Sequence, residues 1–253
     1  MEIRSQIPTD DHKLLSDRAS QFSAGQLHIH HYLRDHFPVI RHTLKNPDLA
    51  LSDPECQIIK SDNTTTVGLI FQDSYKIAIK RYNTKNAWHR LRRTVRSSRA
   101  ENCWDFTQTL QSLDISVVPA VAWIEEIQMG LKGRSWFVSE FVEGISCLDH
   151  FKSGVPPAEI KKTLCEIVEI LCKLRHERIS HGDLKASNIL LSSRGPILID
   201  LDAMRQHKTE STYQQAARKD INRFLRNWQD NPDLLATAQQ LLSTQGFQTD
   251  PPF

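Results

Sequence analysis

Two short segments constrain the fold more than any other feature of the chain. His181 to Leu191 reads HGDLKASNILL, and Ile197 to Arg205 reads ILIDLDAMR. The apolar runs NILL and PILID are each strand-like, and SSRG between them is a turn, so the pair predicts a β-hairpin. A hairpin here returns Asp200, at the end of its second strand, to the side of Asn188, just before its first. Two oxygen-donor side chains placed that way suit a hard cation such as Mg2+. In the same loop Asp183 can serve as a catalytic base, and Lys185 can meet a γ-phosphate. The plain alternative is a capping loop rich in Asp and Asn, which accounts for either segment taken alone.

A lysine far upstream joins the pattern. TTTVGLIF and YKIAIKRY read as two antiparallel strands separated by QDS, and Lys80 ends the run IAIK. Strand alternation sends Ala78 and Lys80 to one face, where the small alanine leaves room for an adenine ring. A lone strand lysine is ordinarily a surface residue. Its significance comes from the loop and hairpin that follow.

The remaining periodicities organise the chain around these residues. Positions 1–55 are mixed in pattern and read as helical pieces punctuated by Pro38, Pro47 and Pro54. Their histidines, His28, His30, His31, His36 and His42, read as solvated or packing residues, since no HExxH or cysteine partner accompanies them. The segment from Trp88 to Leu113 looks helical, with a break near Ser97 and Ser98. ISVVPAVAWIEEI and SWFVSEFVEG are strands joined by a hairpin. PPAEIKKTLCEIVEILCKLRHERI carries proline at a helix start and apolar residues at helical spacing. STYQQAARKDINRFLRNWQ and DLLATAQQLL close the chain as helices. The expected fold class is α+β. A β-rich lobe (56–144, including a hinge) follows an N-terminal extension (1–55) and precedes a helical lobe (145–253), with a cleft between lobes.

Composition excludes several classes. A net charge of +2 over 253 residues argues against a strongly basic nucleic-acid binder. MEIRSQIPTDDHKLL has no basic segment leading into an apolar one, so no secretory signal is expected. No apolar run approaches a membrane span. The cysteines, Cys56, Cys103, Cys147, Cys165 and Cys172, form no CxxC pair and read as reduced thiols of a cytoplasmic protein.

The order IAIK, HGDLKASN, IDLD resembles the protein-kinase-like fold, with HGDLK and DLD in place of the usual HRDLK and DFG. IKRYN, RSSRAENCW, VSEFVEG, HGDLKASNILL and LIDLDAMR together resemble the Kdo/WaaP lipopolysaccharide kinase family over roughly residues 56–228. The resemblance implies a bilobal kinase-like fold, with ATP and Mg2+ as cofactors. It makes Lys80 the nucleotide-phosphate lysine, Asp183 the catalytic aspartate, and Asn188 and Asp200 the metal ligands. Glu101 is the candidate partner of Lys80, and the backbone around Glu140 to Val142 is the adenine-binding hinge. Asp202 either assists the metal or is a solvated acid. Asp220 either braces the catalytic loop or is a solvated acid.

The departures matter as well. No GxGxxG precedes Lys80, and KSDNTTTVG stands there instead. Backbone amides and threonine hydroxyls of that stretch are its candidates for covering phosphates. Gly182 replaces the arginine that pairs with a phosphorylated activation loop in regulated protein kinases. No APE-like segment follows Asp202. These features favour a small or sugar acceptor, a core or lipid A-linked sugar of lipopolysaccharide by the resemblance. The alternatives are a protein or other small-molecule acceptor, or a catalytically silent nucleotide-binding scaffold. Lys85, Arg90, Arg92, Arg93, Arg96 and Arg99 form an acid-free run. Segment 85–99 is therefore the expected contact with an anionic membrane surface at the cytoplasmic face of the inner membrane. No nucleic-acid partner is expected, because no base-stacking platform accompanies the run.

Overall fold

The computed structural model describes residues 19–32, 37–72, 75–83 and 97–249. Its N-terminal part contains strands β1 (Ala19–Ala24), β2 (Leu27–Tyr32), β3 (Gln57–Ser61), β4 (Thr65–Gln72), β5 (Tyr75–Tyr82), β6 (Ala120–Gln128) and β7 (Leu131–Glu140). These form one seven-stranded sheet in the order β1-β2-β6-β7-β5-β4-β3, all neighbours antiparallel. Helices α1 (Phe37–Lys45), α2 (Pro47–Ser52) and α3 (Arg99–Ser112) accompany it.

Alternation along the strands divides the apolar side chains between two cores. Ile77, Ile79, Ile124, Trp136 and Val138 pack on one face with Ile40, Leu44 and Leu51 from α1 and α2. Tyr82, Trp123 and Phe137 point the other way and join Cys103, Trp104 and Leu110 of α3. Lys80 lies opposite Phe137 in the β5–β7 register and shares this second face, which looks toward the C-terminal lobe. Gly68 contributes close packing to the first face. A Cβ there would lie 2.9 Å from Leu51 Cδ2.

The helical pieces expected over residues 1–55 are helical only in α1 and α2 among the described residues. Residues 19–32 form a hairpin that extends the sheet. His30 stacks on Trp123 at 4.2 Å, and His31 is buried with a ring nitrogen 3.1 Å from the Tyr32 carbonyl. Burial lowers the pKa of both rings. These are packing histidines, and alternating polar letters concealed a strand whose outer face is covered by aromatic neighbours.

The C-terminal lobe is built on α4 (Cys147–Lys152), α5 (Pro157–His176), α6 (Glu210–Leu225) and α7 (Pro232–Thr244). In α5, Leu164, Ile167, Val168, Leu171 and Leu174 are buried along one stripe, and Lys173, Arg175 and His176 favour the negative end of the helix. Short strands β8 (Ile145–Ser146), β9 (Ile179–Ser180), β10 (Ile189–Ser192), β11 (Gly195–Leu198) and β12 (Arg205–Gln206) frame the loops between helices. The expected hairpin is β10–β11, with Ile189 opposite Leu198 and Ser192 opposite Gly195. The β9–β12 pair closes the base of the same loop system. Besides residues 141–144, the lobes are tied where Leu198 N–H donates to Ser116 O at 3.1 Å. All five cysteines are free thiols, and burial pushes Cys103 and Cys147 up to about 12.

Candidate active site

Residues 181–188 form a loop between β9 and β10, held from beneath by Asp220 of α6. Asp220 is buried, and its carboxylate accepts from His181 N–H at 2.7 Å, Gly182 N–H at 3.0 Å and Leu184 N–H at 3.5 Å. A carboxylate accepting backbone amides makes charge-assisted bonds, stronger than neutral ones. This resolves Asp220 as a brace and not a solvated acid. His181 adds a second tie. Its Nε2–H donates to Ile199 O at 3.2 Å, and burial lowers its pKa despite nearby Asp220. The neutral ring thus links the loop to the segment carrying Asp200.

Gly182 has φ +81°, and a Cβ there would overlap the carbonyl oxygen of Ala203. No side chain fits, so the arginine of regulated protein kinases has no place in this loop. Gly182→Ala combines a left-handed backbone cost of about 1–2 kcal/mol with that backbone clash. It is expected to lower the melting temperature by roughly 4–8 °C, as read by circular dichroism. An unchanged melting temperature would mean that the loop can shift away from Ala203.

Asp183 points out of the loop into a cluster of cations. Its Oδ2 accepts from Lys185 Nζ at 2.9 Å, and its Oδ1 pairs with Arg223 Nη1 from α6. Burial works to raise its pKa, but Lys185 and Arg223 prevail and hold it below the usual aspartate value. Asp183 is therefore ionised at neutral pH. Asn188 Nδ2 donates to Asp183 O at 2.9 Å, which directs the amide and leaves its Oδ1 as a free-standing acceptor. Ile199 N–H donates to Asn188 O at 3.0 Å, so Asn188 sits at the hairpin root one residue from Asp200 across the ladder. The sequence reading did not single out Arg223. It falls on α6 three residues, about one turn, after Asp220, and nothing in its local pattern distinguishes it from the surface arginines nearby.

Lys80 reaches the same place from β5. Its Nζ pairs with Asp200 Oδ1 and lies 3.9 Å from Asp202 Oδ2. Asp200 adopts φ +64°, a left-handed conformation that aspartate tolerates better than most residues. Its carboxyl is pushed up by burial, but Lys80 outweighs burial and holds it low. Asp202 has the opposite balance, since burial raises its pKa despite Lys80 and Arg99. It is a buried ion-pair acid and not a solvated one.

Two expectations are corrected around α3. Glu101 does not approach Lys80 within ion-pair range. It closes a capping box with Ser98, its Oε2 accepting from Ser98 N–H at 3.1 Å, and it lies 3.6 Å from Lys132 Nζ. The N-terminal orphan amides of the helix compete for that carboxylate, and at the N3 position the cap wins. Arg99, expected on a membrane-facing stripe, instead pairs with Asp202 and stacks 4.5 Å above the Tyr82 ring. The rest of that stripe, Arg92 and Arg96 included, lies outside the described residues. Asn102 secures the contact by donating to the carbonyls of Leu201, Asp202 and Met204 at 3.1–3.4 Å. Asn102 and Arg99 thus dock α3 onto the DLD segment, while Glu101, expected as the partner of Lys80, serves as the helix cap.

The other nucleotide-facing expectations divide. At the hinge, Glu140 N–H donates to Pro119 O and Phe141 N–H to Lys76 O, both at 2.9 Å. Among the described residues Val142 N–H has no hydrogen-bond acceptor, so it can meet an adenine edge. The KSDNTTT turn is a different matter. Asp62 Oδ1 accepts from the Thr64 hydroxyl at 2.6 Å, Thr64 N–H at 2.7 Å and Thr65 N–H at 2.8 Å, bonds that hold its pKa well below the usual range. Those amides are taken up inside the turn and do not cover phosphates.

The donor set suits a magnesium nucleotide. Asp200 and Asn188 offer hard oxygens, and Mg2+ commonly takes one or two such ligands plus phosphates and water. No cluster of three His, Cys, Asp or Glu residues able to hold a metal occurs among the described residues.

The model of the lipopolysaccharide kinase (Kdo/WaaP) family matches residues 52–244. A solved structure, described as WaaP in complex with acyl carrier protein, superimposes with a TM-score of 0.52 at 17% sequence identity. The match covers 82% of this chain and 93% of that one. At that identity the likeness is one of fold.

Proposed function

The chain belongs to the lipopolysaccharide kinase (Kdo/WaaP) family, and from that premise we propose that it transfers the γ-phosphoryl group of ATP to a sugar hydroxyl of the lipopolysaccharide inner core, on Kdo or heptose. The observation that carries the proposal is Asp183, ionised and held between Lys185 and Arg223 at the mouth of a braced loop. Because its pKa is low, Asp183 is a weak base. Its part is to orient the sugar hydroxyl and to take the proton late, as suits a loose phosphoryl-transfer transition state. Lys185 screens the moving phosphoryl group. Lys80, which pairs with Asp200, holds the nucleotide phosphates. Glu140 to Val142 receive the adenine. Asn188 and Asp200 would hold Mg2+, which when bound would neutralise phosphate charge. A silent scaffold is disfavoured because each polar group of the reaction is present and oriented.

The short interval from Asp202 to the start of α6 at Glu210 supports a small acceptor over a docked peptide. The proposed setting is the cytoplasmic face of the inner membrane, with the basic residues of segment 85–96 against anionic lipid. No helix of the described residues is long and apolar enough to cross a membrane. The test is mass spectrometry of lipopolysaccharide core from cells with and without the gene. The expected result is a single phosphate of difference on an inner-core sugar, restored by the wild-type gene and not by Asp200→Asn. Identical cores, with robust phosphorylation of a generic protein by the purified enzyme, would favour the protein-kinase reading instead.

A further inference from the structure

A recess of about 350 Å3 opens beside the catalytic loop, lined by Lys185, Arg223, Arg226 and Asn227. None of the nucleotide-side residues, Lys80, Asn188 or Asp200, lines it. Lys185 and Arg223, which do line it, both pair with Asp183, so the recess adjoins the carboxylate that would meet an acceptor hydroxyl. Among the described residues, Lys185 and Arg223 share the carboxylate of Asp183, and Arg226 meets no carboxylate. Three exposed or half-exposed cations thus border one recess with a single carboxylate between them, a positive patch that attracts an anion.

The arrangement is held in place. Trp228 is buried, with its ring 5.9 Å from Phe224 and 5.3 Å from Phe151, and it anchors the helical turn Arg226–Trp228. Asn227 Nδ2 donates to Arg223 O at 2.9 Å and Phe224 O at 2.7 Å, which leaves Oδ1 as an acceptor for a hydroxyl. A site with a free guanidinium, flanking cations and a fixed acceptor matches a polyol that carries an acid group.

We propose that this recess binds an acidic substituent of the acceptor, carboxylate or phosphate, with Arg226 as the residue that selects it. The proposal rests on the sugar-kinase reading and adds that the acceptor must be charged before transfer. Arg226 takes no part in moving the phosphoryl group. It holds the acceptor in register with Asp183.

The test uses a phosphorylated, Kdo-bearing core oligosaccharide, the same material with its carboxyl groups reduced to alcohols, and the same material with its phosphates removed. Wild-type enzyme is expected to prefer the intact acceptor to one of the modified forms by about tenfold or more in kcat/KM, mainly through KM. The form that loses identifies carboxylate or phosphate as the recognised group. In Arg226→Ala that preference should fall below about twofold, and Arg226→Lys should keep part of it. Equal use of all three forms by the wild type, or a preference that survives Arg226→Ala, overturns the proposal. Calorimetric titration of the same probes is read independently of turnover. If no acceptor is phosphorylated, the kinase reading fails, while the charge preference in binding still decides the recess. Melting curves of the variants exclude misfolding.

Discussion

Asp183→Ala is expected to cut phosphoryl transfer by about 10^2–10^4-fold, with the fall in kcat and little change in the melting temperature. The reason is local. Asp183 accepts from Lys185 and Arg223, and both partners are themselves close to half exposed. Ion pairs of that exposure contribute about 0–1 kcal/mol to stability, so losing one leaves the fold intact. What disappears is the carboxylate proposed to orient the acceptor hydroxyl. Steady-state kinetics with core acceptor, alongside thermal melts, check both halves. Activity within tenfold of wild type would remove Asp183 from the reaction, and a collapsed melt would recast it as structural. Asp183→Asn is the sharper companion, since it keeps the shape and removes the charge.

Asp220→Ala should act the other way round, on the fold first and on activity in consequence. Three backbone amides of the catalytic loop end on that carboxylate. Hydrogen bonds to a charged acceptor are worth about 1.5–3 kcal/mol, and a buried donor left unsatisfied costs about 1–3 kcal/mol. A loss of about 3–5 kcal/mol is therefore expected, a fall of roughly 10 °C or more in melting temperature. Hydrogen exchange at His181 and Gly182 should rise above that of the α5 amides. Exchange that stays protected at these two residues would mean that the loop stands without its brace. Asp220→Asn should recover part of the loss, because its amide oxygen still accepts.

The contrast between these two aspartates shows what sequence reasoning can and cannot reach. Asp183 was legible because a short loop and a tight hairpin bind it to Asn188 and Asp200. Asp220 was ambiguous because a helix acid can turn either to water or to the core, and the neighbouring letters of KDINRFLRNW do not decide which. Glu101 shows the harder failure. Its place in SRAENCW suited a partner for Lys80, yet Ser98 stands three residues earlier and captures it as a cap. The capping signal was visible in the sequence, and it outweighs a long-range ion pair because both its partners are already adjacent. Arg99 moved from an imagined membrane face to the buried Asp202 for a related reason. Charge runs are read as stripes, but where a helix begins decides which of their members turn inward.

By itself the sequence determined the α+β lobes, the hairpin that carries Asp200 to Asn188, and the strand face that presents Lys80. Each of these depends on spacing over a few residues, where strand period and turn length leave little freedom. Only the tertiary structure decided that Arg223 pairs with Asp183 and shares a recess with Arg226, that Asn102 and Arg99 dock α3 onto the DLD segment, and that the threonine turn is closed on Asp62. Those placements depend on how α3 and α6 are rotated and set against the loops. That rotation is fixed by packing among residues far apart in the chain, such as Trp228 against Phe151, and not by any local pattern.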